Sequence, residues 1–97
     1  MTAFSDFSGP ELRVGPSVPP SKVEKFINLV FAKRPVLRPL LEEAGKIEFI
    51  QDHVVIHPKP EARWLYDALR QPPNDRIISV VVKEVFGKEA DWYLMES

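Results

Sequence analysis

Apolar residues in Asn74 to Gly87, NDRIISVVVKEVFG, recur on a helical period. Ile77, Ile78, Val81 and Val85 share one stripe, widened by Val80, Val82 and Phe86, while Arg76, Ser79, Lys83 and Glu84 fill the remaining arc. So wide an apolar surface predicts a helix pressed against a sheet and flanked by other helices. Asn74 suits the N-cap, Asp75 places negative charge at the favourable end of the helix dipole, and Gly87 suits a left-handed C′ position. The β-branched run IISVVV also fits a strand. The cap, the length and the Lys83-Glu84 interruption favour the helix.

Periodicity elsewhere supplies the other elements. Ser21 is the expected cap of a first helix with Val23, Phe26, Ile27, Val30 and Phe31 inward, spaced i, i+3, i+4, i+7, i+8. Pro35 interrupts, and a second, shorter helix runs from about Val36 to Ala44, with Leu37, Leu40, Leu41 and Ala44 inward and Gly45 ending it. Pro39 fits only if it lies in the first turn. Lys46 to Ile50 and Val54 to His57 read as a hairpin around Gln51-Asp52-His53, one face formed by Ile47, Phe49, Val54 and Ile56. Pro60 opens a third helix to about Arg70, with Ala62, Leu65, Tyr66 and Leu69 inward, and Gln71-Pro72-Pro73 breaks the chain before the central helix. Ala90 to Met95 is the last strand, Ala90, Trp92 and Leu94 alternating with Asp91, Tyr93 and Met95. The predicted order is α-α-β-β-α-α-β: an α+β domain with a three-stranded sheet and helices mainly on one face, over residues 22–97. Residues 1–21, MTAFSDFSGPELRVGPSVPPS, have no period and read as a flexible, Pro-rich linker or tail. Such a segment suits a natural tail or a domain cut from a longer protein. Phe4 and Phe7 within it could dock on the domain or on a partner.

Composition narrows the function. The 13 basic and 14 acidic residues leave a formal charge of −1, which argues against phosphate neutralisation as the main source of affinity. There is no cysteine, so disulfides, a thiol nucleophile and thiolate metal sites are excluded. No apolar run approaches the roughly 18 residues of a membrane span and no signal peptide is legible, so a cytoplasmic location is expected, with no membrane contact.

Candidate chemistry is sparse. Asp52, His53 and His57 are the only metal-like cluster, but two histidines four apart on a strand lie ~13 Å from each other, too far to share an ion. No serine outside the N-terminal segment has a legible base beside it, and neither a phosphate-binding glycine loop nor a Walker sequence occurs. No catalytic, metal or cofactor site is expected. Arg63, Arg70 and Arg76 straddle the QPPN turn, with Arg34 and Arg38 elsewhere; they fit a phosphate-binding patch or ordinary solvated arginines. The α+β order also raises a KH nucleic-acid module, but that module needs a GxxG loop, and Gly9, Gly15, Gly45 and Gly87 supply none. Two features point to a protein partner. Trp64 lies between Asp67 and Ala68 on the outward side of its helix, beside Arg63, as a docking anchor or a cover for a neighbouring loop or hairpin. The second sheet face carries Ile50, Val55, His57, Tyr93 and Met95, as an interface or beneath the N-terminal segment or the first helix.

The run FINLVFAKRPVLRPLLEEAGKIEFIQDHVVIHPKPEARWLYDALRQPPNDRIISVVVKEVFGKEADWYL resembles the C-terminal domains of the gamma/tau subunit of the bacterial DNA polymerase III clamp loader. The likeness spans about Val23 to Leu94 and lies in LRPLLEEA, the hairpin, LYDALRQPPNDRII and KEVFG. Those domains are similar in fold to the N-terminal domain of the DnaA-type replication initiator. The resemblance implies a non-catalytic interaction domain of a replication subunit, tethering the polymerase catalytic subunit or the replicative helicase in the replisome; the family's ATPase motifs are absent here. The alternatives are a KH-like or initiator-like module for single-stranded nucleic acid, and a small protein that dimerises through its open sheet face or an edge strand.

Overall fold

The computed structural model describes residues 9–95. The order is β1 (Glu11–Val14), α1 (Pro20–Lys33), α2 (Leu37–Leu41), β2 (Ala44–Ile50), β3 (His53–Pro58), α3 (Trp64–Arg70), α4 (Pro72–Phe86) and β4 (Asp91–Leu94). The sheet has four strands in the order β1-β2-β3-β4, so the three-strand expectation is corrected. The extra strand lies inside the segment read as a linker. Its four residues are too short for a legible alternation, but they pair in parallel with β2, Leu12 opposite Ile47 and Val14 opposite Phe49. The linker reading for residues 1–8, with Phe4 and Phe7, falls outside the described residues. No described helix is long and apolar enough to cross a membrane.

β2 and β3 form the antiparallel hairpin, and β3 runs parallel to β4. Parallel neighbours cannot be joined by a tight turn, so each parallel pair needs a crossover. α1 and α2 supply one; α3 and α4 supply the other. The two pairs point in opposite directions, yet one apolar cluster holds residues from all four helices and from a single side of the sheet. Two connections over one face of such a sheet must have opposite hands. One of them is therefore left-handed, against the strong preference for right-handed crossovers.

α4 is helical over the predicted stretch, with Ile78, Val81, Val82 and Val85 buried. The stripe is narrower than expected: Val80 is exposed, and Ile77 and Phe86 are half-buried. Asn74 is not the cap. The helix begins two residues earlier, because Pro72 and Pro73 fit a first turn whose N–H groups have no helical acceptor. The Asn74 amide instead accepts Arg34 Nε at 2.5 Å and donates to the Ala68 carbonyl at 2.7 Å, fastening the ends of α1 and α3 to the start of α4. Gly87 ends α4 at φ 124°, ψ 164°, which is not the left-handed helical conformation expected but one only glycine adopts readily. The start of α1 is also corrected, since Pro19 rather than Ser21 occupies the N-cap and Pro20 the first helical position. α2 is shorter than expected and keeps Pro39 in its first turn. Gly45 lies in β2, at an irregularity in register between Ala44 and Lys46, and does not end a helix. α3 begins at Trp64, because residues 60–63 form turns.

The predicted inward positions of α1 are all buried. At the centre of the core, Phe26 of α1, Phe49 of β2 and Phe86 of α4 meet with ring centroids 5.7, 6.0 and 6.2 Å apart, the first pair edge to face. Replacing Phe49, which is fully buried, by Ala removes two of the three ring contacts. The expected cost is ~3–5 kcal/mol of unfolding free energy, read from the shift in urea midpoint at unchanged slope. A loss under ~1 kcal/mol would show that the cluster is not central.

Candidate interaction surface

Strand register sorts the sheet into two faces. Leu12, Ile47, Phe49, Val54, Ile56 and Trp92 point into the helical layer. The opposite face carries Arg13, Glu48, Val55 and Tyr93 in one row and Ile50, His53 and Asp91 in the next. Met95 continues the alternation, its N–H donating to the Ile56 carbonyl at 3.1 Å. Every residue named in sequence for this face, Ile50, Val55, His57, Tyr93 and Met95, therefore shares it.

They do not contribute equally. Ile50, Tyr93 and Met95 are 47%, 43% and 52% exposed, whereas Val55 and His57 are buried beneath their neighbours. His53 sits across from Ile50 and meets the Tyr93 ring edge-on at 5.4 Å between centroids. The result is a diagonal band of Ile50, His53, Tyr93 and Met95, with Val55 and His57 as its floor.

Polar groups beside the band are internally matched. His57 Nε2 donates to Glu48 Oε1 at 2.6 Å. That bond needs a proton on Nε2, and the buried Nδ1 has no partner among the described residues. On β1, Arg13 Nε meets Glu11 Oε2 at 2.6 Å, and this hydrogen bond and the adjacent charge hold the Glu11 carboxyl below its ordinary range. Both residues are well exposed, so the pair adds little stability.

Trp64, Arg63 and Asp67 occupy a different surface. α3 belongs to the helical layer through the buried Leu65 and Leu69. Trp64 projects from it 51% exposed, at an open hollow that Arg63, Tyr66 and Asp67 also line. Tyr66, predicted inward, is only half-buried, although its hydroxyl is shielded and has no partner among the described residues.

Three of the arginines, Arg34, Arg38 and Arg70, are engaged within the domain. Arg34, placed elsewhere by the sequence reading, reaches Asn74 beside the QPPN turn. Arg70 stacks over the Trp92 ring at 4.6 Å, and Arg38 lies 6.0 Å over Phe31 and 3.8 Å from Glu42. Sequence reasoning missed the group around the buried Trp92, whose Nε1 donates to Asp75 Oδ1 at 3.2 Å and to Ser79 Oγ at 3.1 Å. The i, i+4 spacing of Asp75 and Ser79 was the available signal. Asp52 and His53 approach to 3.5 Å, while His57 turns to Glu48; no group of three or more metal-ligating side chains forms among the described residues.

Comparison with protein-family models, with curated proteins and with solved structures gives no match.

The His57–Glu48 bond gives a stability test. Glu48→Ala leaves the shielded Nε2–H of His57 without an acceptor and should cost ~1–3 kcal/mol, whereas Glu48→Gln keeps an acceptor oxygen and should cost less. Equal urea midpoints for the two variants would show that the bond is not what matters there.

Proposed function

We propose that this chain is a non-catalytic protein-interaction domain that docks a partner on the open face of its sheet. The observation that carries this reading is the band of half-exposed Ile50, Tyr93 and Met95 around His53. Large apolar and aromatic side chains on a rigid strand frame lose little conformational entropy when covered, which favours them as anchors. The Glu48–His57 and Glu11–Arg13 pairs beside the band are already satisfied, so covering them strands no single charge. Trp64, on the helical side, gives a second, separate contact point, as an adaptor joining two assemblies would need.

The partner class, the polymerase catalytic subunit or the replicative helicase, rests on the sequence likeness over Val23 to Leu94 alone. Neither the fold nor the comparisons add to that assignment. A nucleic-acid role is the weaker reading: Arg34, Arg38 and Arg70 are engaged within the domain, and the charge balance is −1.

Titration calorimetry of the full chain against each of the two replication proteins tests the proposal. A Tyr93→Ser, Met95→Ser variant should keep the circular dichroism of the parent and bind at least roughly 10-fold more weakly, since two anchors lose their contact area. Trp64→Ala reports on the helical side independently. Unaltered affinity in the sheet-face variant would remove the band from the interface. Steeply salt-dependent oligonucleotide binding, with no protein binding, would replace the reading by the nucleic-acid one.

A further inference from the structure

The open face of the sheet is charged unevenly. Register places Glu11, Lys46 and His57 in one row, Arg13, Glu48, Val55 and Tyr93 in the next, and Ile50, His53 and Asp91 in the last. With histidine neutral, the first two rows balance, Lys46 and Arg13 against Glu11 and Glu48. Both of those carboxylates are also bonded, Glu11 to Arg13 and Glu48 to His57. The last row differs. Asp91 lies across from His53, and Asp52 in the adjoining turn approaches the same ring to 3.5 Å. No lysine or arginine shares that row. Lys83 of α4 is held by the Ala90 carbonyl, and the exposed Lys88 and Glu89 of the loop before β4 offset each other. Two negative charges therefore stand at one end of the band of Ile50, Tyr93 and Met95.

We propose that the partner segment received by this face is cationic as well as apolar: a stretch of protein chain with an arginine between large apolar residues. This occupant presupposes the docking face proposed above and adds its chemistry. Ile50, Tyr93 and Met95 take the apolar side chains, and Asp52 and Asp91 take the charge. Arginine suits the place better than lysine, because its planar guanidinium can stack on the exposed Tyr93 ring while it donates to a carboxylate. The sign of the charge also decides against a different occupant. Aromatic side chains on adjacent strands, as His53 and Tyr93 are, can stack nucleic-acid bases, but the same two carboxylates repel the accompanying phosphates.

Amide chemical shifts and affinities of the full chain for short synthetic peptides test this. The probe is an arginine flanked by leucine and phenylalanine; its control has citrulline for arginine, which keeps the shape and loses the charge. The arginine peptide should move the resonances of Ile50, His53, Tyr93 and Met95. It should bind roughly 5-fold more tightly than the citrulline peptide at low salt, the scale of a cation beside exposed carboxylates. Asp52→Asn combined with Asp91→Asn should bring the two peptides to within roughly 2-fold of each other. Asparagine at position 91 still offers an acceptor to Trp92 N–H, so the start of β4 is kept. Equal affinity of both peptides for the unaltered chain, with the same resonances moving, overturns the cationic occupant and leaves the docking face standing. No movement with either peptide overturns it too, and calorimetry with the two replication proteins then decides the docking face separately. A thymidine oligonucleotide that moves those resonances where the arginine peptide does not replaces the protein segment by single-stranded nucleic acid.

Discussion

The described helices share one apolar cluster with a single side of one mixed sheet, and the contact of Phe26, Phe49 and Phe86 closes that arrangement. The three rings come from α1, β2 and α4, so they hold one crossover, the sheet centre and the other crossover at a single point. With the helices gathered there, the far side of the sheet carries only side chains among the described residues. The exposed band exists because the core is one-sided, and the unusual hand of one connection is the geometric cost of that choice.

The legible parts of the fold were those in which period and burial agree. All five inward positions of α1 came through, as did the parity of β2 and β3 and the alternation of Trp92 against Tyr93. The helical state of α4 was legible despite its β-branched run, since the run is too long and too regularly interrupted for one strand. What escaped has a common cause. β1 contributes four residues whose pairing partner lies more than thirty positions away, and nothing local marks it as a strand. α1 and α4 start earlier than the local pattern suggests, because proline looks like a breaker until its place in the first turn is known. Asn74 looked like a cap because its residue type suits one, yet its amide joins three helices.

The candidate surface was partly legible for the same reason. Parity alone placed Ile50, Val55, His57, Tyr93 and Met95 together, but it could not separate floor from rim. Val55 and His57 are screened by longer neighbours, a property of the finished relief and not of the alternation. The helical projection likewise put Trp64 outward, and it is outward. Its distance from the sheet band follows from the layering: Trp64 belongs to the helical layer, the band to the other side of the sheet. The i, i+4 spacing of Asp75 and Ser79 is legible in the Asp75–Ser79–Trp92 group, but their bonds to Trp92 join a helix to the last strand across a contact that sequence spacing does not encode.

The strand order carries a kinetic consequence. Only the β2–β3 hairpin pairs residues close in sequence; β1 and β4 must each wait for two helices to bring them home. Closing those long loops costs entropy before any contact rewards it. Assembly therefore starts from the middle of the sheet and finishes at its margins. The margins are also the first places to come loose, since each outer strand is paired on one side only.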